Sequence, residues 1–242
     1  MADRPIPFSA PMARALLAGA KTQTRRTIKP QPTVRPNGAW SWDGRNGGFV
    51  GSSGTHVEEG FPESARYWSR IQPGDRLWVR EAYFQRGHWE PVPGGVTRKG
   101  GRQKWRFVPD DDVVLFDPPP VYRKGRHQSD PATPAWHQRL GRFMPRRHSR
   151  LTLIVTDVRV QRLQEISEED ARAEGVLPLP SGRFHCGYDE EGEVTSRSAI
   201  TAYGWLWNAI NGEDAWAADP WVAAYTFTVH RHHIDLAGAA HG

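Results

Sequence analysis

Two long segments rich in proline and glycine, residues 29–73 and 84–145, confine regular secondary structure to the stretches around them. The second segment contains nine of the 20 prolines. Because proline interrupts helices and central strands, these segments predict large insertions around a modest core. In the first, Asn37-Gly38 indicates a turn, and Trp40–Trp42 and Phe49-Val50 fit the arms of a hairpin. The second is either a partly ordered insertion that can cover a site or a solvated loop.

The remaining stretches predict a mixed α+β fold. Strand patterns occupy residues 76–81, 150–160 and 221–229, and a further strand begins at Thr22. Helices are predicted at residues 11–18, 168–174 and 198–210, the last with Ile200, Tyr203, Trp207 and Ile210 on its buried face. Residues 177–197 have the composition of a loop. Because no βαβ alternation recurs, we expect one domain over residues 1–242, a small mixed β-barrel decorated with short helices.

The second predicted helix has clear start and stop signals. Ser167 fits the N-cap, Asp170 completes an acidic variant of the capping box, and Gly175 ends the helix. Glu174 therefore lies in the last turn, where a carboxylate opposes the helix dipole. Position alone favours a solvated surface glutamate, although functional sites often break local rules.

Charge and composition limit the classes of partner. The net charge of +5 and a pI near 9.6 favour an anionic partner, with nucleic acid or nucleotides first. Most of the 11 tryptophans fit core packing, and some can stack on bases. The single cysteine, Cys186, favours a reducing compartment, the cytoplasm. We expect no signal peptide, membrane span, metal site or cofactor, and the histidines at 230, 232 and 233 fit a solvated tail.

The most unusual short stretch is Gly19–Arg26, which places a lysine, two threonines and two arginines within eight residues. Lys21 and Thr24 are three apart, so they do not share a strand face. They converge only if the backbone bends or the long lysine arm reaches over. The stretch predicts a loop at the mouth of a strand, and a basic turn on a solvated surface is the alternative.

The pattern Gly-x-Lys-Thr-x-Thr-x-Arg at residues 19–26 resembles the signature of the ASCH domains. These are relatives of the PUA fold, a small β-barrel associated with RNA. The resemblance continues at residues 73–81, at 155–175 and in the strand that ends at Val229, and covers about half of the chain. The N-terminal stretches at residues 7–12 and 21–26 are most similar to those of phage and prophage members. The resemblance implies a PUA-like barrel, with the two proline-rich insertions outside the small-domain pattern.

Some small ASCH proteins are amidohydrolases that remove the acyl group from N4-acetylcytidine with a proposed Lys, Thr and Glu triad. The resemblance assigns these roles to Lys21, Thr24 and Glu174. A threonine hydroxyl needs a base to become nucleophilic, and a lysine with a lowered pKa supplies one. Glu174 would protonate the leaving amine, and Arg25 or Arg26 would lower the lysine pKa or bind the oxyanion. This chemistry requires no metal.

Two other functions remain open: a non-catalytic module that reads RNA or modified DNA, and a ribonuclease. The positive charge favours a polymer ligand, whereas the lysine, threonine and glutamate together favour catalysis, so the enzyme is preferred. The expected partners are a nucleoside, RNA or DNA. We expect contacts to substrate or nucleic acid from Thr22, Arg25, Arg26, Arg80, Glu81, Arg146 and Arg147.

Overall fold

A computed structural model describes residues 1–36, 39–43, 49–50, 56–67, 69–98, 100–189 and 192–236. Its strands are β1 (Asp3–Pro7), β2 (Gln23–Thr27), β3 (Thr33–Val34), β4 (Trp40–Trp42), β5 (Phe49–Val50), β6 (Arg76–Arg80), β7 (Tyr83–Val96), β8 (Gln103–Leu115), β9 (Arg123–Lys124), β10 (Ala135–Arg139), β11 (Thr152–Arg162), β12 (Phe184–Asp189), β13 (Gly192–Ser196) and β14 (Trp221–His230). The α-helices are α1 (Ala10–Leu17), α2 (Val57–Tyr67), α3 (Glu168–Ala173) and α4 (Ala199–Asn211). The predicted turn at Asn37-Gly38 lies outside the described residues.

The largest sheet has five strands in the order β1-β6-β11-β14-β2. Strand β14 is antiparallel to both of its neighbours, and its Tyr225 pairs with Thr24 of β2. A bulge between Val155 and Asp157 interrupts the register of β11. Within the described residues none of the sheets closes into a barrel. The α+β class is therefore confirmed, and the PUA-like barrel stays a prediction.

The chain forms two compact units. The first comprises Met1–Arg4, Arg14–Leu77 and Thr152–Arg231. One part of its core packs α3 and α4 against the hairpin β12–β13, through residues such as Ala171, Phe184 and Tyr203. The loop prediction for residues 177–197 is wrong, because a bulge between His185 and Gly187 hides the alternation of this hairpin. Ile210 is 59% exposed, so its predicted place on the buried face of α4 is wrong as well.

The first insertion belongs to this unit and is more ordered than its composition suggests. The predicted hairpin of Trp40–Trp42 with Phe49-Val50 is confirmed, since Trp42 pairs with Phe49. Helix α2, which contains Pro62, was not predicted. Its Phe61 makes edge-to-face contacts with the rings of Trp40, Trp42 and Trp221. These tryptophans therefore pack a local core.

The second unit comprises Pro5–Ala13, Trp78–Leu151 and the C-terminal residues from His232. The second insertion forms its four-stranded sheet in the order β8-β7-β10-β9, so the solvated-loop alternative is wrong. The predicted solvated tail is also wrong, because Ile234 is fully buried and His233 bonds to the carbonyl of Arg146. In the described part of the chain, none of the helices is long and apolar enough to cross a membrane.

Candidate active site

The centre of the candidate site is a buried ion pair between Lys21 and Glu174. Both side chains are almost completely inaccessible to solvent. The Lys21 amine donates to Oε2 of Glu174 at 2.6 Å and to the Glu174 backbone carbonyl at 2.8 Å. The two residues are 153 positions apart in the chain, so tertiary structure alone brings them together.

Helix α3 and its caps place Glu174 at this position. Ser167 accepts a hydrogen bond from the backbone of Asp170 at 3.1 Å and fixes the start of the helix, as predicted. Glu174 is the C-cap, and Gly175 follows with φ of +97°, a conformation that favours glycine. The amide of Thr22 then donates to the carbonyl of Ala173 at 2.8 Å. The end of α3 is thus joined to the start of β2.

Arg25 adds a second cation to the Glu174 carboxylate. Its guanidinium donates to Oε1 of Glu174 at 3.2 Å and to Oδ2 of Asp170 at 2.6 Å. Gln23 lies on the same face of β2, because side chains two apart on a strand point the same way. Gln23 donates to Asp170 at 3.1 Å and also contacts Arg25. We call Lys21, Gln23, Arg25, Asp170 and Glu174 the buried ion cluster.

Two residues from other elements complete the surroundings of this cluster. Arg159 of β11 donates to both carboxylate oxygens of Asp170, at 2.9 and 3.0 Å. Tyr203 of α4 is buried close to Glu174. Burial, followed by the negative charge of Glu174, raises the pKa of Tyr203 well above its usual value. The Tyr203 hydroxyl therefore stays protonated beside the carboxylate.

The environment of Lys21 lowers the pKa of its amine. Burial makes the largest contribution, and the charges of Arg26 and Arg25 act in the same direction. The ion pair with Glu174 opposes them. A lowered pKa is the direction that a lysine base requires.

Thr24 and Arg26 lie on the other face of β2 by strand alternation. Thr24 is buried and pairs in register with Tyr225. Arg26 is exposed to solvent, and its charge interacts with Glu174, Tyr203 and Tyr225. Thr24 thus shares its strand face with Arg26 rather than with the residues that bind Glu174.

The other predicted contact residues have partners of their own. Thr22 is exposed in the first unit. In the second unit, Glu81 is buried and binds Arg150 through two hydrogen bonds of 2.9 and 3.0 Å. There too, Arg80 donates to the backbone carbonyl of Gly141, Arg146 pairs with Asp235, and Arg147 pairs with Asp112.

Sequence reasoning missed Gln23, Arg159, Asp170 and Tyr203 as parts of the site. The capping pattern identified Asp170 only as a helix residue, and its carboxylate contacts Gln23, Arg25 and Arg159. The helical periodicity placed Tyr203 on a buried face but gave no indication of its contact with Glu174. No local signal connects these residues, because their partners are distant in the chain.

Among the described residues, no group of His, Cys, Asp and Glu side chains is arranged to hold a metal ion. Comparisons with protein-family models, with curated proteins and with solved structures gave no match to this chain.

Proposed function

We propose that the chain is a cytoplasmic, PUA-like ASCH hydrolase that removes an acyl group from the exocyclic amine of a nucleobase, as in N4-acetylcytidine. The observation that carries this proposal is the 2.6 Å contact between Lys21 and Glu174. The ASCH-like pattern selects these two residues, which are 153 positions apart in the chain, and they share one buried cluster. Their geometry supports the proposal independently of the sequence pattern.

A purely structural role explains this cluster poorly. A buried ion pair contributes little net stability, because desolvation of both charges offsets their attraction. The cluster buries Lys21, Arg25 and Glu174 together and lowers the pKa of the lysine. Ionisable groups perturbed by burial and by specific charge partners are concentrated at functional sites.

The proposed reaction gives each group one step. The Thr24 hydroxyl attacks the acyl carbon and its proton passes to the neutral form of the Lys21 amine, which the lowered pKa favours. The Glu174 carboxylate relays this proton from Lys21 to the exocyclic nitrogen, so that the C–N bond breaks and the free amine leaves. The exposed Arg26 stabilises the charge that develops on the acyl oxygen. Water then hydrolyses the acyl-threonine ester and releases the carboxylic acid. The proposal requires the Lys21 amine and the Thr24 hydroxyl to lie within reach of one bridging water.

The test is chromatographic release of cytidine from N4-acetylcytidine by purified wild-type protein and by Thr24→Val. Valine keeps the branched shape and removes the hydroxyl, so we expect turnover to fall by about 10²-fold or more. Thr228→Val is the matched control, because Thr228 is an exposed threonine on the adjacent strand β14. This control should retain wild-type turnover.

Two results would contradict the proposal at different levels. Wild-type turnover in Thr24→Val would show that Thr24 is not the nucleophile, although the protein would still be a hydrolase. Absence of turnover by the wild type on N4-acyl cytosines, free or within RNA or DNA, would favour the non-catalytic binding module. Cleavage of RNA by the wild type in the same samples would favour the ribonuclease.

A further inference from the structure

Positive charge is concentrated in one segment of the second unit, residues 122–147. This segment contains seven basic residues and one acidic residue, so its net charge of +6 exceeds the +5 of the whole chain. The rest of the chain is therefore close to neutral, and attraction of an anionic partner depends on this segment.

Three arginines of this segment lie over aromatic rings. The guanidinium of Arg126 is 4.3 Å from the ring centroid of Trp105, that of Arg139 is 4.2 Å from Phe107, and that of Arg142 is 4.9 Å from Phe143. In the described part of the chain, none of these three arginines forms an ion pair with a carboxylate. By contrast, ion pairs with aspartates are formed by Arg123, Arg146 and Arg147. Among the described residues, the positive charge of these three arginines therefore has no carboxylate partner.

The sheet holds the aromatic rings of strands β7 and β8 on one face. Trp89 pairs with Phe107, and Trp105 lies two residues before Phe107, so the three side chains point the same way. Gly87 is required beneath them, because a Cβ there would lie 2.7 Å from the Phe107 ring. The opposite face carries ion pairs that neutralise each other, such as Arg86 with Asp110 and Arg106 with Glu90.

A fixed turn presents Arg142 and Phe143. The residues Gly141–Phe143 form a 3-10 turn, and Arg80 donates to the carbonyls of Gly141 and Arg142. Gly141 packs directly on the backbone of Glu81, where a Cβ would lie 2.9 Å from the carbonyl carbon. Phe143 remains 54% exposed. The turn therefore holds an exposed ring and an exposed guanidinium ready for a ligand, at little entropic cost on binding.

The loop that carries Arg126 adds space for an anion. Residues 123–129 line an open pocket of about 590 Å³ whose wall includes Arg123, Lys124, Arg126 and His127. Guanidinium groups match the geometry of phosphate oxygens and bind them in a bidentate manner.

We propose that this arginine–aromatic face, formed by Trp105, Arg126, Arg139, Arg142 and Phe143, binds single-stranded nucleic acid. The arginines contact successive phosphates, and Phe143 and the guanidinium planes stack on unpaired bases. A duplex buries its base faces and leaves the exposed ring without a partner. The inference goes beyond the proposed hydrolysis and does not depend on it, because none of these residues belongs to the buried ion cluster.

The test measures fluorescence anisotropy of a labelled single-stranded RNA with the full chain across a salt series. Removing two phosphate contacts in Arg126→Gln/Arg142→Gln should reduce the log–log salt slope by about 1.4. Phe143→Ala should weaken binding about fivefold or more without changing the slope. Arg14→Gln removes one exposed charge from helix α1 and should leave binding unchanged.

Several outcomes would overturn the proposal. The first is that the wild type does not bind the RNA at low salt. The second is that Arg14→Gln and the double variant lose the same amount of RNA affinity. The third is that a hairpin duplex binds tightly and Phe143→Ala does not change its affinity. Competition by polyglutamate as effective as that by unlabelled RNA would assign the face to an acidic polypeptide instead. Because Phe143 is exposed, its alanine variant should fold normally, and circular dichroism would verify this.

Discussion

At the scale of single residues, the unusual feature is a glutamate with two buried cations as direct partners and a buried tyrosine close by. Lys21 and Arg25 each form an ion pair with Glu174, and the neutral Tyr203 is buried near it. Removing one member of a buried ion pair costs roughly 3–5 kcal/mol, because the other charge stays buried without compensation. The cluster therefore tolerates single changes poorly.

Tyr203 gives this cluster a signature in the pH dependence of stability. An unfolded tyrosine ionises near pH 10, whereas the raised pKa keeps folded Tyr203 protonated above that value. The unfolded state then binds fewer protons, so the free energy of unfolding falls as pH rises above 10. Below about pH 10 this contribution is fully present.

We therefore expect the wild type to lose stability relative to Tyr203→Phe between about pH 9 and about pH 11. Urea unfolding at each pH provides the measurement. Tyr67→Phe is the control, because Tyr67 is 76% exposed, and its stability should follow that of the wild type. Parallel curves for wild type and Tyr203→Phe through this range would show that Tyr203 ionises normally in the folded protein.

At the scale of elements, α3 delivers both carboxylates of the cluster although it spans only six residues. A helix this short depends on its caps, because it forms few internal hydrogen bonds. Ser167→Ala should lower the free energy of unfolding by about 1 kcal/mol. Ser167→Asn should restore most of it, since asparagine is an equally good N-cap.

Urea denaturation of the three proteins tests this prediction about α3. Equal stabilities for the serine, alanine and asparagine proteins would mean that the contacts of Asp170 and Glu174 hold the helix without its cap. The alanine variant should also lower turnover of N4-acetylcytidine, because Glu174 follows directly from the end of α3.

The sequence predicted the regular elements that carry clear local signals. Helices α1, α3 and α4 and strands β6, β11 and β14 lie within about two residues of their predicted bounds. Helix α2 was not predicted because Pro62 lies inside it. The hairpin β12–β13 was not predicted because a bulge breaks the alternation of its side chains. Local sequence patterns do not show which distant residues pack against an apolar face. The helices and strands of the two insertions were therefore harder to predict than those of the core.

The sequence identified only some of the residues of the candidate site. The ASCH-like pattern selected Lys21, Thr24 and Glu174, and the capping pattern explained why Glu174 has a defined position. Asp170 and Tyr203 join the site through contacts that only folding creates, such as the ion pair of Arg25 with Asp170 across 145 residues. The basic segment was visible from composition, but the stacking of its arginines on aromatic rings was not.

At the scale of the whole molecule, two units carry two separable chemical features. The buried ion cluster belongs to the first unit, and the arginine–aromatic face belongs to the second. Variants of one unit therefore provide folded controls for experiments on the other. We therefore expect variants to lose the proposed hydrolysis and the proposed binding of nucleic acid independently of each other.

We propose that the buried ion cluster exists for catalysis rather than for stability. The most direct test combines urea unfolding with turnover of N4-acetylcytidine for Glu174→Leu and for Lys21→Met/Glu174→Leu. Glu174→Leu leaves Lys21 uncompensated and should lose roughly 3–5 kcal/mol, whereas the double variant removes both charges and should recover most of this stability. We expect a folded double variant without detectable turnover. A folded double variant that releases cytidine as fast as the wild type would contradict a catalytic role of the cluster.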